Sequence, residues 1–287
     1  MPRSTSFAEG LSRESPHQGL LALLLLLTVV WLLSAAVVKT RDAATRAQCL
    51  SNLRQVGMAL QEYHNGAGCF PRGTVPNTNL PPDRRLSWMV EIYPAWMMGG
   101  YKILLDRTKA WHAEENCPPR WRVRGKEELV GAVVFRCPAS SVQTAPHLPG
   151  VTHYRGIAGV GEDAAELPLS DRRSGFFGYD RKLTRDDIKD GMSTTIAVVE
   201  VADGEPWTAG GRATVRGLAT DGPPYFGEGG QFASNHGRHR FPFPNSRTTS
   251  VLFVDGSVRT LTASVSPRVF EALATIAGSE EIDGFED

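Results

Sequence analysis

An α+β fold is what this sequence predicts, on three observations. An apolar run near the N-terminus is continued by a helical stripe, a β-branched segment late in the chain is followed by a hairpin signal, and a short capped helix comes after the hairpin. The apolar run comes first in the chain. Gly19 to Val38, GLLALLLLLTVVWLLSAAVV, is twenty residues without a charge. At about 1.5 Å of rise per residue it reaches roughly 30 Å, the thickness of a bilayer's hydrocarbon core. Residues 19–38 are therefore expected to form one transmembrane helix, with 1–18 as an N-terminal tail. The rival reading is a cleaved secretory signal, for which Ser34, Ala35 and Ala36 would supply small residues at a cleavage site. Such signals have apolar regions of about 7–15 residues, so the length of this one favours a retained anchor. Arg3 and Arg13 on one side and Lys39, Arg41 and Arg46 on the other leave the orientation open by charge.

After Lys39 the positions Leu50, Leu53, Val56, Gly57, Leu60 and His64 recur at steps of three and four, with Arg54, Gln55, Gln61 and Glu62 between them. That period predicts a helix with one buried face, continuous with the span and stopped by Asn65, Gly66 and Gly68. Thr184 can cap a short helix over Arg185 to Lys189, ended by Gly191. Thr194 to Glu200, TTIAVVE, reads as a largely buried strand, with Glu200 at the sheet's rim. Val201 to Gly230, with eight glycines and three prolines, reads as irregular loop. Thr249 to Val254 and Ser257 to Leu261 flank Asp255-Gly256, a dipeptide that tolerates the positive φ of a tight turn. Pro267 opens a helix running to Ala277, with Gly278 beyond its end. The organisation expected is one α+β domain over 39–278 and an acidic tail over 279–287.

Lys plus Arg number 31 and Asp plus Glu number 31, and removing the first 38 residues takes away two of each sign. The domain is neutral, which argues against a nucleic-acid partner. Arg120, Arg122, Arg124 and Lys126 have Glu114, Glu115, Glu127 and Glu128 around them and read as a solvated face. No GxSxG, HExxH or SxxK motif is present, and Gly156 to Gly161, GIAGVG, lacks the GK[ST] ending of a phosphate loop. No enzyme activity and no cofactor are expected. His236, His239 and Asp255 are the candidate metal ligands, in a Gly, Arg and Pro segment that does not fix their spacing. Calcium is the ion that carboxylates near Asp190, Glu200 and Asp255 would favour. The plainer reading makes Asp255 and Gly256 a structural turn. Cys49, Cys69, Cys117 and Cys137 form no CxxC pair. An even count in an extracytoplasmic domain favours disulfides, and four cysteines allow three connectivities.

CLSNLRQVGMALQEYHNGAGCFPRG (Cys49 to Gly73) resembles the segment following the membrane in a planctomycete-type family of pilin-like proteins. Its members carry a prepilin-like, pseudopilin-type N-terminus and a domain of unknown function. LSWMVEIYPAW, VVFRCPAS (a strand ending in Cys-Pro in that family), HYRGIAGVG, IKDGMSTTIAVVE, FASNHG and VLFVDGSVRTL follow in the family's order. The resemblance implies a pilin-like fold, a long N-terminal helix on an antiparallel sheet with loop-rich insertions. It also implies an extracytoplasmic domain in the periplasm or at the cell surface, and partners in self-assembly or a type II secretion-like or pilus-like apparatus. Cys49 and Cys137 fall on family motifs, so it pairs them and leaves Cys69 with Cys117. Two departures stand out: Leu24 occupies the place of the processing glutamate, and His236 precedes Asp255 by nineteen residues where the family's His...Asp-Gly motif spaces them by about ten. The alternative function is a membrane-tethered solute-binding or metal-dependent hydrolytic domain.

Overall fold

The computed structural model describes residues 16–96, 102–123, 126–129, 133–141, 149–222, 224–227, 229–236 and 248–278. Residues 1–15 of the expected N-terminal tail and the acidic tail over 279–287 lie outside them, as does His239. The chain divides into two compact units, 1–43 and 44–287. Helix α1 (Pro16–Ala67) contains the expected span and the stripe after it in one uninterrupted element of 52 residues. Within the first unit it is long and apolar enough to cross a membrane, and Leu20 to Val37 turn large apolar side chains outward, from 49% exposed at Trp31 to 64% at Val37.

In the second unit the same helix behaves differently. Cys49, Asn52, Leu53, Val56, Ala59 and Leu60 are buried, whereas Arg54 and Glu62 stay exposed, as the period of the stripe requires. Gly68, at φ +69°, follows its last turn. The main sheet has five strands in the order β6-β4-β5-β7-β8: β4 (Val151–Val160), β5 (Ile196–Pro206), β6 (Val215–Leu218), β7 (Thr248–Phe253) and β8 (Val258–Thr262). All neighbours run antiparallel except β4 and β6, which are parallel. A smaller antiparallel sheet joins β1 (Lys102–Leu104), β2 (Arg120–Val123) and β3 (Lys126–Leu129), and its register sets Arg122 opposite Glu127.

Both faces of the main sheet are covered. Leu53, Val56 and Leu60 of α1 and Trp88, Met89 and Ile92 of α2 (Trp88–Trp96) share one core with Tyr154, Val198 and Leu252. Phe270 and Leu273 of α3 (Pro267–Leu273) share another with Val199, Val251 and Phe253. A strand buried on two faces reads as a continuous apolar run, which is why TTIAVVE does not alternate.

The secondary structure departs from the sequence reading at the following elements. Val201 to Gly230 is not all loop, because β5 continues to Pro206 and β6 rests beside β4 through parallel pairing that no local pattern encodes. Val133 to Ser140 holds a 3-10 turn (Val133–Phe135), not a strand. The short helix after Thr184 is a 3-10 turn (Arg185–Asp187), in which the Asp187 carboxylate accepts from the Thr184 N–H at 2.8 Å. Helix α3 stops at Leu273, four residues before the expected end, where the backbone of Lys189 and Asp190 takes up the carbonyl of Ile276.

Candidate functional site

Four elements, far apart in sequence, bring polar side chains to one buried point. Cys49 lies on the inward face of α1. One turn on, Asn52 Nδ2 donates to the Arg136 carbonyl at 3.3 Å, which holds the turn bearing Cys137 against the helix. The Cys137 N–H donates to His153 Nδ1 at 3.2 Å, so the second anchor of that turn is β4. Glu200 sits in the middle of β5, directly opposite Tyr154 of β4, whose hydroxyl donates to the Cys49 carbonyl at 3.4 Å. His236 follows Phe232 in the stretch before β7. Asn235 Nδ2 donates to the Ala202 carbonyl of β5 and Thr249 Oγ1 donates to the Phe232 carbonyl, tying that stretch to both strands.

Cys49 Sγ lies 3.3 Å from Cys137 Sγ, which is 3.5 Å from His236 Nε2, which is 3.1 Å from Glu200 Oε1. One ligand-type atom from each of the four lies within 4.8 Å of every other. Cys49, Cys137 and Glu200 are fully buried and His236 is 4% exposed. The imidazole is at ion-pair distance from Glu200, and the Cys137 thiol and Ser250 hydroxyl also approach its carboxylate, but among the described residues none of these contacts has the geometry of a full hydrogen bond. A buried carboxylate without such a bond is costly, and the cost marks the point as more than filler.

Proton affinities reflect this crowding. Burial disfavours the charged imidazole, yet contact with Cys137 and Glu200 outweighs it and holds His236 at about 10. Burial likewise opposes ionisation of Glu200, and His236 overcomes it, leaving the carboxyl below its usual range. The Cys137 thiol is pushed up by contact with Cys49 and by burial. His153, one strand away, is lowered to about 4 by burial and by the Arg155 guanidinium, so it accepts from Cys137 as a neutral ring.

The candidates named from sequence are placed unevenly. Of the histidines, His236 enters the cluster. Asp255 is exposed in the β7–β8 turn, where its Oδ1 accepts from the N–H and hydroxyl of Ser257, and Gly256 adopts φ +90°. That is the arrangement of a structural turn. Glu200 is corrected from the sheet's rim to its centre. Asp190 accepts from the Thr275 hydroxyl and the Gly278 N–H, a role in fastening the segment after α3. Of the expected disulfides, Cys49 and Cys137 do meet, but at contact distance rather than bonding distance. No disulfide joins Cys69 and Cys117 either. The pairing of Glu200 and His236 with the cysteines escaped the sequence reading. The signal for it was a charged residue inside an otherwise apolar run.

Among the described residues, surface hollows lie beside Tyr225 and Glu271, between Glu162, Glu205, Arg212 and Arg216, and beside Trp111 and Tyr179. None of them reaches Glu200, His236 or Asp255.

A family model described as "Protein of unknown function (DUF1559)" matches residues 39–268, and the chain belongs to that family. No curated protein and no solved structure compared with the chain matches it.

Proposed function

We propose that this member of the family is a membrane-anchored, pilin-like or pseudopilin-like protein whose domain over 39–278 is displayed outside the cytoplasm. Its role is structural, in self-assembly or in a secretion- or pilus-like apparatus. The observation that carries the reading is the outward-facing apolar surface of α1 from Leu20 to Val37. Thirteen large apolar side chains there stand about half exposed or more. Burial of such side chains is worth about 1.5–3 kcal/mol each, so a lipid environment gains on the order of 20 kcal/mol that water forfeits. The continuation of this helix into a stripe that packs on a sheet supports a display role, because one element then serves both as anchor and as core of the domain. Leu24, in place of the processing glutamate, fits an anchor that is retained with its N-terminal tail.

The reading assigns no reaction to the domain. A tethered hydrolytic or solute-binding domain would want Glu200, His236 and Asp255 around an open hollow. Asp255 is instead committed to a turn, while Glu200 and His236 are enclosed.

Membrane fractionation with a topology reporter after residue 278 tests the proposal. The expected outcome is a chain that stays in the membrane pellet after a carbonate wash, with its reporter active outside the cytoplasm and its N-terminal tail intact. A mature chain starting at Leu20 or Val37, or release of the domain by carbonate, would overturn it.

A further inference from the structure

We infer that Cys49, Cys137, Glu200 and His236 form a closed four-ligand site for one zinc-class cation. It would join α1, the Cys-Pro turn, β5 and the stretch before β7 at a single point. Two thiolates, one imidazole and one carboxylate are a donor set suited to Zn2+, a borderline-soft ion, and the thiolates exclude the calcium that an all-oxygen site would take. Geometry agrees with the chemistry. Tetrahedral Zn2+ with its usual bond lengths sets sulfur atoms about 3.8 Å apart, sulfur and nitrogen about 3.6 Å, and nitrogen and oxygen about 3.4 Å. The observed separations of 3.3, 3.5 and 3.1 Å are each shorter, so the four groups need an outward adjustment of up to about 0.5 Å, largest between the two sulfurs.

Two simpler accounts each leave something over. A Cys49–Cys137 disulfide would explain the sulfur contact but not why Glu200, fully buried, faces it without a well-placed donor. A lone His236–Glu200 ion pair would explain the carboxylate but not why two buried thiols lie within 4.8 Å of both groups. A cation satisfies all four at once. Loading the site releases one proton from each thiol and one from the imidazole when it starts protonated, and nothing is oxidised or reduced. With four protein ligands and almost no exposure, no coordination position is left for water or substrate, so the site is structural, not catalytic.

The test uses full-length protein in detergent, reduced, stripped with a chelator and then given Co2+ or Zn2+ alone. The expected result is one equivalent of metal per chain, a thiolate-to-cobalt charge-transfer band of two-thiolate intensity that Zn2+ abolishes, and a higher melting temperature with Zn2+. Glu200→Gln should weaken binding at least about 100-fold while keeping the two-thiolate band. Asp255→Asn should change neither. Should Cys137→Ser fail to fold, the cobalt spectrum of the unaltered chain still decides. Absence of that band, unchanged metal affinity in Glu200→Gln, or a Cys49–Cys137 disulfide in peptide maps of unreduced protein would overturn the site.

Discussion

The β7–β8 turn and the buried cluster around Glu200 hold the same kind of residue in opposite circumstances. Asp255 lies in water, and a neighbouring serine satisfies its carboxylate within two residues of sequence. Glu200 lies in the core, and every group near it comes from a distant part of the chain. An acid in a turn is explained by local backbone geometry, so its presence there implies no chemistry. A fully buried acid has no such local explanation and points to whatever gathers around it. The His...Asp-Gly pattern draws attention to the first acid, and the fold directs it to the second.

Four substitutions sharpen the contrast. The largest effect is expected from Glu200→Ala. It leaves His236 charged and buried without its partner, which should cost about 3–5 kcal/mol in denaturant unfolding of the detergent-solubilised chain. Next comes Gly57→Val. A Cβ at Gly57 would stand 2.9 Å from Leu252 Cδ1 and 3.4 Å from Gly256 Cα, so α1 approaches the hairpin too closely for a side chain. Overpacking there should cost about 1–3 kcal/mol in the same measurement. Gly256→Val puts a β-branched residue at φ +90° with open space around its Cβ, so the cost is conformational alone, about 1–2 kcal/mol. Asp255→Asn retains a side chain that suits the turn and should lie within about 0.5 kcal/mol of the unaltered protein, with or without added calcium. A calcium-dependent melting shift lost in Asp255→Asn would restore the exposed acid as a ligand and break the contrast.

Much of the fold was legible because it is written locally. The stripe from Leu50 to Leu60 gave α1 its buried face, the glycines after His64 gave its end, and Asp255-Gly256 placed the β7–β8 hairpin to within a residue or two. What could not be read depends on partners far away. Strand β6 is four residues in a glycine-rich stretch, and it is extended because Val215 and Leu218 pair with Gly156 and Val160. The Ala202–Pro206 half of β5 has turn-like composition, yet the pairing of Glu205 with Thr152 and Pro206 with Val151 keeps it in the sheet. The same division governs the cluster. Cys49 and Cys137 are 88 residues apart and Cys137 and His236 are 99 apart, so no spacing motif could announce them. Glu200 looked like a rim residue only because the sequence reading ended the strand there, whereas the strand runs on to Pro206.

Buried cations show the same dependence on tertiary context. In the fold the Arg181 guanidinium donates to the carbonyls of Ala164, Leu167, Ala158, Gly175 and Phe177, gathering the 158–183 segment around one side chain.

A double-mutant cycle between His236 and Glu200 tests most directly whether the buried residues act as a unit. His236→Gln, Glu200→Gln and the pair would be unfolded in denaturant under identical conditions, beside a second cycle between His236 and Asp255. Residues in contact are expected to couple by about 1–3 kcal/mol, and residues that do not interact should add within about 0.5 kcal/mol. The account predicts strong coupling in the first cycle and additivity in the second. Additivity between His236 and Glu200, with coupling between His236 and Asp255, would contradict it.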